Sequence, residues 1–458
     1  MMAVEGPFLA AIIARMGEAA PNLAAYGVAF AFAILVESPV IMLMSASTAL
    51  VEDAASYVRL RTFANVLNAA STALLLFVLI PPVFSVLMLS MLGLPAHVAD
   101  LVYGSLWLLL PWPAAIGYRR FLHGVLIRSG RTRLIAYGTV LRLLGMATTA
   151  LALYAWGTLP GALVGAAALS AGVVTEAIVS RIMATGALRE LLGPEGRRPS
   201  ALDPDETEDL VEGEVGLAAA VGDAPVPAPH SAAVAAAARG RPPESGPAPG
   251  FREIARFYYP LALTSFIGLS VHPMLTFFMG RSVAPLESLA VFPVVHALSF
   301  LFRSMGFSYQ EAAIALLGRR CEHIRILSSF GLYMAVAASG GMALVAFTPL
   351  ADVWFGTVSG LPPDLVAYAR PAAQILVLFP GMAVLLALQQ AVLVHGRSTR
   401  PITVASAIEV ATIALLFVLC GWVLEMTGVN AAVIALMGGR AAGNVFLMWP
   451  VREVLARR

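Results

Sequence analysis

The sequence predicts an all-α membrane protein: twelve transmembrane helices, the first of them truncated, in two parallel-repeat lobes of six. Three observations predict it. The 458 residues are 59% hydrophobic and only 12% charged, against about 25% charged in soluble domains. Apolar runs of roughly 20 to 30 residues alternate with short polar breaks, the length a helix needs to cross a ~30 Å hydrocarbon core. The two halves of the chain also repeat one another. This excludes a soluble enzyme, a nucleic-acid-binding protein and a secreted disulfide scaffold. It also excludes an outer-membrane barrel, whose strands would alternate apolar and polar over about ten residues.

Breaks at Gly, Pro and charge clusters place spans near 1–16, 22–51, 57–93, 97–128, 133–156 and 160–190. After a different kind of sequence they recur near 251–281, 287–317, 321–350, 364–396, 400–427 and 429–456. Residues 1–190 form the expected first lobe and 251–458 the second. Between them, 191–250 is rich in Ala, Pro, Gly and Glu, with eight acids and no base between 201 and 223. Such a stretch cannot bury enough apolar surface to offset the entropy of ordering, so a disordered linker is expected. Pro81-Pro82, Pro111 with Pro113, and Pro380-Gly381 fall inside spans and are expected to kink them.

Arginine sets the orientation, because cytoplasmic loops retain positive charge. One face would carry Arg59, Arg61, the 119–133 cluster, Arg319, Arg320, Arg325, Arg397, Arg400 and the C-terminal arginines. The other would carry only Arg15, Arg281 and Arg370. The linker and C-terminus are therefore expected in the cytoplasm of an inner-membrane protein. Arg119, Arg120 and Arg128 read as an anchor to anionic lipid. All 29 basic residues are Arg, and the net charge of +2 gives no case for a nucleic-acid partner. Cys321 and Cys420 lack a CxxC or His partner and are expected as buried or cytosol-facing free thiols. No cleavable signal peptide is visible.

The repeat has a nearly constant offset. Pro7, Leu9, Arg15, Leu23, Ala24, Val28 and Ala31 return 266 residues later as Pro273, Leu275, Arg281, Leu289, Ala290, Val294 and Ala297. Pro113, Val125, Leu126, Thr132, Arg133 and Ile135 return 267 residues later as Pro380, Val392, Leu393, Thr399, Arg400 and Ile402. With an even number of spans per half, the copies enter from the same side and are related by an axis along the membrane normal. The offset leaves the first helix short by about ten residues. Either it is a half-span, or Met1-Met2 lies inside a longer reading frame.

An ionised side chain at mid-membrane costs ~2.5–3.5 kcal/mol, so each must face a partner or a watery cavity. The candidates are Glu5, Glu37, Arg142 and Glu176 in the first lobe, and Arg303, Glu409 and Arg440 in the second. Glu37 plus 266 is Arg303, and Arg142 plus 267 is Glu409. Equivalent positions thus carry opposite charges, and could meet across the axis or be paired within each lobe, as Glu37 or Glu176 with Arg142. Three acids against one base suit an H⁺ or Na⁺ site in the first lobe, whereas Arg303 and Arg440 suit an anionic substrate. His272, His296 and Asn444 are secondary candidates; Gln389 and Gln390 read as bonding a neighbouring backbone. No Walker A, HExxH, zinc spacing or nucleophile elbow occurs, so neither a cofactor nor a metal nor an enzymatic reaction is expected.

Two six-helix lobes, a linker after helix six and the string at 22–30 (NLAAYGVAF) resemble MATE-like exporters of the multidrug/oligosaccharidyl-lipid/polysaccharide (MOP) superfamily. The segments 126–133 (LIRSGRTR) and 393–400 (LVHGRSTR), each ending helix four of its lobe, support the likeness. The first string also resembles the progressive-ankylosis branch, whose members export small organic anions. The resemblance implies H⁺- or Na⁺-coupled antiport by alternating access, a monomer in the bilayer, and coupling through an acid in the first helix. Glu5 stands there, Glu where Asp is commoner. A flippase for a lipid-linked saccharide precursor is the alternative the superfamily offers.

Overall fold

A computed structural model describes residues 4–192, 250–317, 321–396, 398 and 400–456. The expected linker lies almost wholly outside them. The helix Thr185–Leu192 runs two residues past the expected end of the first lobe, and the helix Phe251–Leu269 starts where the second is expected to begin.

Regular structure among the described residues is helical apart from one isolated bridge, Val283 with Thr427. In the first half the helices are α1 (Glu5–Ala14), α2 (Ala19–Glu37), α3 (Leu43–Leu50), α4 (Ala54–Val78), α5 (Pro81–Ser85), α6 (Ala96–Leu108), α7 (Trp112–Arg128), α8 (Arg133–Trp156), α9 (Gly161–Met183) and α10 (Thr185–Leu192). In the second they are α11 (Phe251–Leu269), α12 (Val271–Gly280), α13 (Pro285–Leu316), α14 (Ile324–Phe347), α15 (Leu350–Asp352), α16 (Pro363–Ile375), α17 (Phe379–His395), α18 (Arg400–Phe417) and α19 (Gly428–Ala456). Wide π-helical turns, Val86–Met91, Val353–Val358 and Val418–Val423, follow α5, α15 and α18. Among the described residues ten helices are long and apolar enough to cross a membrane, and Glu5–Ala14, Pro81–Met91 and Ser265–Gly280 are shorter apolar ones.

The breaks fall where the backbone chemistry requires them. Proline has no N–H to give and crowds the carbonyl four residues back, so helices restart at it. Pro81 opens α5, and Pro111 caps α7. Pro380 sits in the first turn of α17, directly after a 3-10 turn. The expected spans 57–93, 97–128 and 364–396 are therefore each jointed. The span expected at 251–281 is jointed too, at Ser270.

Helix ends repeat as the residues do. Adding 266 to α1 gives the bounds of α12, and both helices have ten residues. Adding 267 to Val86–Met91, α6 and α7 gives Val353–Val358, α16 and α17. Packing repeats as well. α8 lies on α9 as α18 does on α19; α4 lies on α7 as α14 does on α17; α2 meets α6 as α13 meets α16. Within the described residues α11 has no counterpart in the first half, and α1, at 1.5 Å per residue, is about 15 Å long.

The halves meet through α2 against α13, with α1 on α13 mirrored by α12 on α2. At the crossing a methyl group on Gly27 would lie 2.7 Å from Cγ of Pro293. Gly27 plus 266 is Pro293, and two equivalent residues can touch only on the axis that relates them. Glycine is needed here because any larger side chain would hold the helices apart.

Candidate functional site

Beside that crossing lies a cavity of about 120 Å³ enclosed by both halves. Glu5, Tyr26, Phe30, Trp112 and Arg142 line it from the first half, and His272, Thr276, Phe292, His296 and Phe300 from the second. Four of the residues singled out in the sequence thus share one space: Glu5, Arg142, His272 and His296.

Glu5 begins α1, and Arg142 lies midway along α8. One guanidinium nitrogen of Arg142 donates to both Glu5 oxygens, at 2.7 and 2.8 Å. Its other terminal nitrogen lies 3.7 Å from Glu176 on α9, and Glu176 accepts from Arg119 on α7 at 2.7 Å. Glu5–Arg142–Glu176–Arg119 is therefore an alternating chain of charges through four helices. It leads from the cavity wall into the first half, where Arg142, Glu176 and Arg119 are 1%, 0% and 2% exposed. Charges removed from water in this way persist only when paired and hydrogen-bonded. Next to the chain, His123 and Ser180 share a hydrogen bond of 3.0 Å.

The lipid-anchor reading of Arg119 and Arg120 is overturned. Both are buried, Arg120 at 3% exposure. Arg128, at the end of α7, is partly buried and donates to the Thr48 carbonyl at 3.1 Å. A signal was present in the spacing: Arg119 lies nine residues inside the helix end, roughly 13 Å at 1.5 Å per residue. The charge count changes with it. Three buried acids, Glu5, Glu37 and Glu176, stand beside three buried arginines, Arg119, Arg120 and Arg142, so among the described residues of the first half these acids are not in excess.

Glu37 sits behind the cavity wall and accepts a hydrogen bond from the Trp112 indole N–H. Its repeat partner Arg303 stacks 5.3 Å from the ring centroids of Phe300 and Phe379. Phe379 is the counterpart of Trp112, at offset 267. The two halves thus solve one position in opposite ways: an acid takes an indole N–H, and a guanidinium takes an aromatic face. Glu409 pairs with Arg440 at 2.9 Å within the second half, and Arg440 also stacks on Phe379 at 4.9 Å. Arg142 and Glu409 therefore each have a partner in their own half, the within-lobe arrangement of the two that the sequence left open. The pair Glu176–Arg142 is the one of the expected same-lobe pairs that forms; Glu37 takes Trp112 instead.

His272 on α12 and His296 on α13 place their rings edge to face, centroids 5.6 Å apart. Asn444 lies away from the cavity, donating to the Met382 carbonyl at 3.0 Å, while Gln389 donates to the Asn444 carbonyl at 2.9 Å. Both cysteines are free and buried. Among the described residues no three His, Cys, Asp or Glu side chains gather in a way that would hold a metal ion.

No family model matches the sequence, and no curated protein does. Solved structures do match in fold. The chain aligns over 100% of its length, and 95% of the other chain, with an inward-facing multidrug resistance MATE family transporter of the MOP superfamily, at 14% identity and a TM-score of 0.62. It aligns over 98% of its length, and 86% of the other, with the lipid II flippase MurJ in an inward closed conformation, at 11% identity and a TM-score of 0.67. A MOP superfamily transporter from Pyrococcus furiosus aligns over 99% and 96%, at 14% identity and a TM-score of 0.51. The chain has the fold that these MOP superfamily transporters share.

Proposed function

We propose that the chain is a secondary-active exporter of a small organic solute, working by alternating access of two six-helix lobes, twelve spans in all. The observation that carries this is the cavity on the pseudo-two-fold axis. It is walled by both halves and holds a buried ion pair, Glu5–Arg142, whose partners belong to different helices. A packed core has no reason to keep ionised groups around an internal space at mid-membrane depth. Rocking one half against the other about the Gly27–Pro293 crossing exposes that space to one face and then the other.

The wall is mostly aromatic, with a few polar groups, which suits a small ring-bearing solute. An organic anion would find Arg142 there; Arg303 and Arg440, assigned to an anion from the sequence, lie against Phe379 outside the lining. Proton coupling is favoured over Na⁺. Both Glu5 oxygens are engaged by Arg142, so a metal cation would have to displace a guanidinium to reach them. The protein acts as a monomer in the inner membrane, with residues 193–249 and the C-terminus in the cytoplasm. The flippase alternative needs an arginine-rich cavity for a saccharide pyrophosphate, and Arg142 is the one arginine among the described residues that line this cavity.

Proteoliposomes with an imposed pH gradient, and separately a Na⁺ gradient, test the reading against a panel of small organic anions and cations. Gradient-dependent movement of one of them, lost in Glu5→Gln, is the expected result. Movement confined to lipid-linked saccharide precursor would replace this reading with the flippase.

A further inference from the structure

We propose that Arg15 and Arg281 are a matched pair of latches that hold the two halves together at one membrane face, and that both must let go before the cavity opens there. This rests on the alternating-access reading above.

The helical turns Val86–Met91 and Val353–Val358 end at Gly93 and Gly360, both at φ +71°. The last carbonyls of a helix have no intrahelical partner and carry the negative end of its dipole. Here the caps come from the opposite half. Arg15 donates to the carbonyls of Thr357 and Val358, at 2.6 and 2.9 Å. Arg281 donates to those of Met91, at 2.5 Å, and Ser90. The donors are repeat equivalents at offset 266, and the acceptors Ser90/Thr357 and Met91/Val358 are equivalents at offset 267. Each half thus clasps the other with the same residue at the same place.

Both arginines are exposed, so no buried charge forces these contacts. They also lie on the face that the positive-inside pattern assigns to the exterior, where Arg is otherwise scarce. Arg370, the third arginine of that face, pairs with Asp352 of its own half at 3.6 Å. The seam is tight beside the latch: a methyl group on Gly280 would lie 2.5 Å from the Leu92 carbonyl oxygen, a backbone atom that cannot swing away. In the first half Ala14 takes the place of Gly280.

The test reads cavity access from outside, without needing the solute. Ala31→Cys, on the cavity wall, is treated with a membrane-impermeant maleimide in right-side-out vesicles, Cys321 and Cys420 being buried. Releasing both latches as Arg15→Ala with Arg281→Ala is expected to speed labelling by about ten-fold, the shift that a modest change in a two-state balance gives. Lysine at both positions, able to bond fewer carbonyls at once, is expected to fall between. Gly280→Ala, which pries the seam without touching either arginine, is expected to move labelling the same way should the double variant not fold. Wild-type labelling rates in folded double-alanine protein, or a rise that lysine fully reproduces, overturn the latch. If labelling accelerates while no solute follows any gradient, the latch stands and the exporter reading falls. If a solute is exported and labelling is unmoved, the reverse holds.

Discussion

Arg142 is the residue on which most of the buried charge depends, because Glu5 and Glu176 both lean on it. Removing one member of a buried ion pair leaves the other desolvated and unpartnered, a cost of about 3–5 kcal/mol. Arg142→Gln is therefore expected to lower stability in detergent by that order, read from thermal or denaturant unfolding. Glu5→Gln added to Arg142→Gln should recover part of it, since one stranded carboxylate is then removed. The inward placement of Glu5, Glu37, Arg142 and Glu176 was legible in the sequence, because insertion cost alone forbids their facing lipid. Their partners were not. Position along a chain gives depth within a helix and says little about which neighbour a side chain meets, so Trp112 could not be matched to Glu37. Arg119 and Arg120 were misplaced because they were grouped with the loop arginines that follow.

At the scale of the element, span positions and the proline breaks were legible, since both follow from short-range backbone chemistry. The π-helical turns were not: nothing local in 86–91 or 353–358 separates an i→i+5 turn from an i→i+4 one. The start of α4 shows a local rule that does hold. Asp53 accepts from the Ser56 N–H at 2.7 Å, and the Ser56 hydroxyl accepts from the Asp53 N–H at 2.9 Å, closing a capping box. Asp53 lies outside the spanning helices, and the Ser56 backbone N–H, donating to the ionised carboxylate, lowers its pKa below the usual range. A group depressed in the folded state adds stability above its unfolded pKa of about 3.9, and that stability fades as pH falls through the folded value. Asp53→Ala is expected to cost about 1 kcal/mol at pH 7. Unfolding curves of the two proteins should keep a constant gap down to about pH 4 and converge below it; a gap that persists unchanged well below that pH would assign the loss to something other than the ionised cap.

Across the whole molecule the repeat offset read from thirteen residue pairs fixes helix ends, packing partners and the axis through Gly27 and Pro293. It also raised the idea that Glu37 and Arg303, opposite charges at equivalent positions, meet across that axis. Symmetry brings equivalent residues together only on the axis, and these two lie ten residues along α2 and α13 from Gly27 and Pro293, each against the aromatic residue of its own half. The consequence can be measured. Exchanging them as Glu37→Arg with Arg303→Glu would set a guanidinium before an indole N–H donor, near Arg119 and Arg120. It would set a carboxylate against the electron-rich faces of Phe300 and Phe379, which repel it. Neither new contact compensates the other. The double variant is therefore expected to lose the sum of the two single losses, within the ~0.3–0.5 kcal/mol typical of independent sites. A recovery well beyond that margin would mean the pair does meet in another state of the cycle, with the halves turned far enough about Gly27–Pro293 to carry both side chains to the axis.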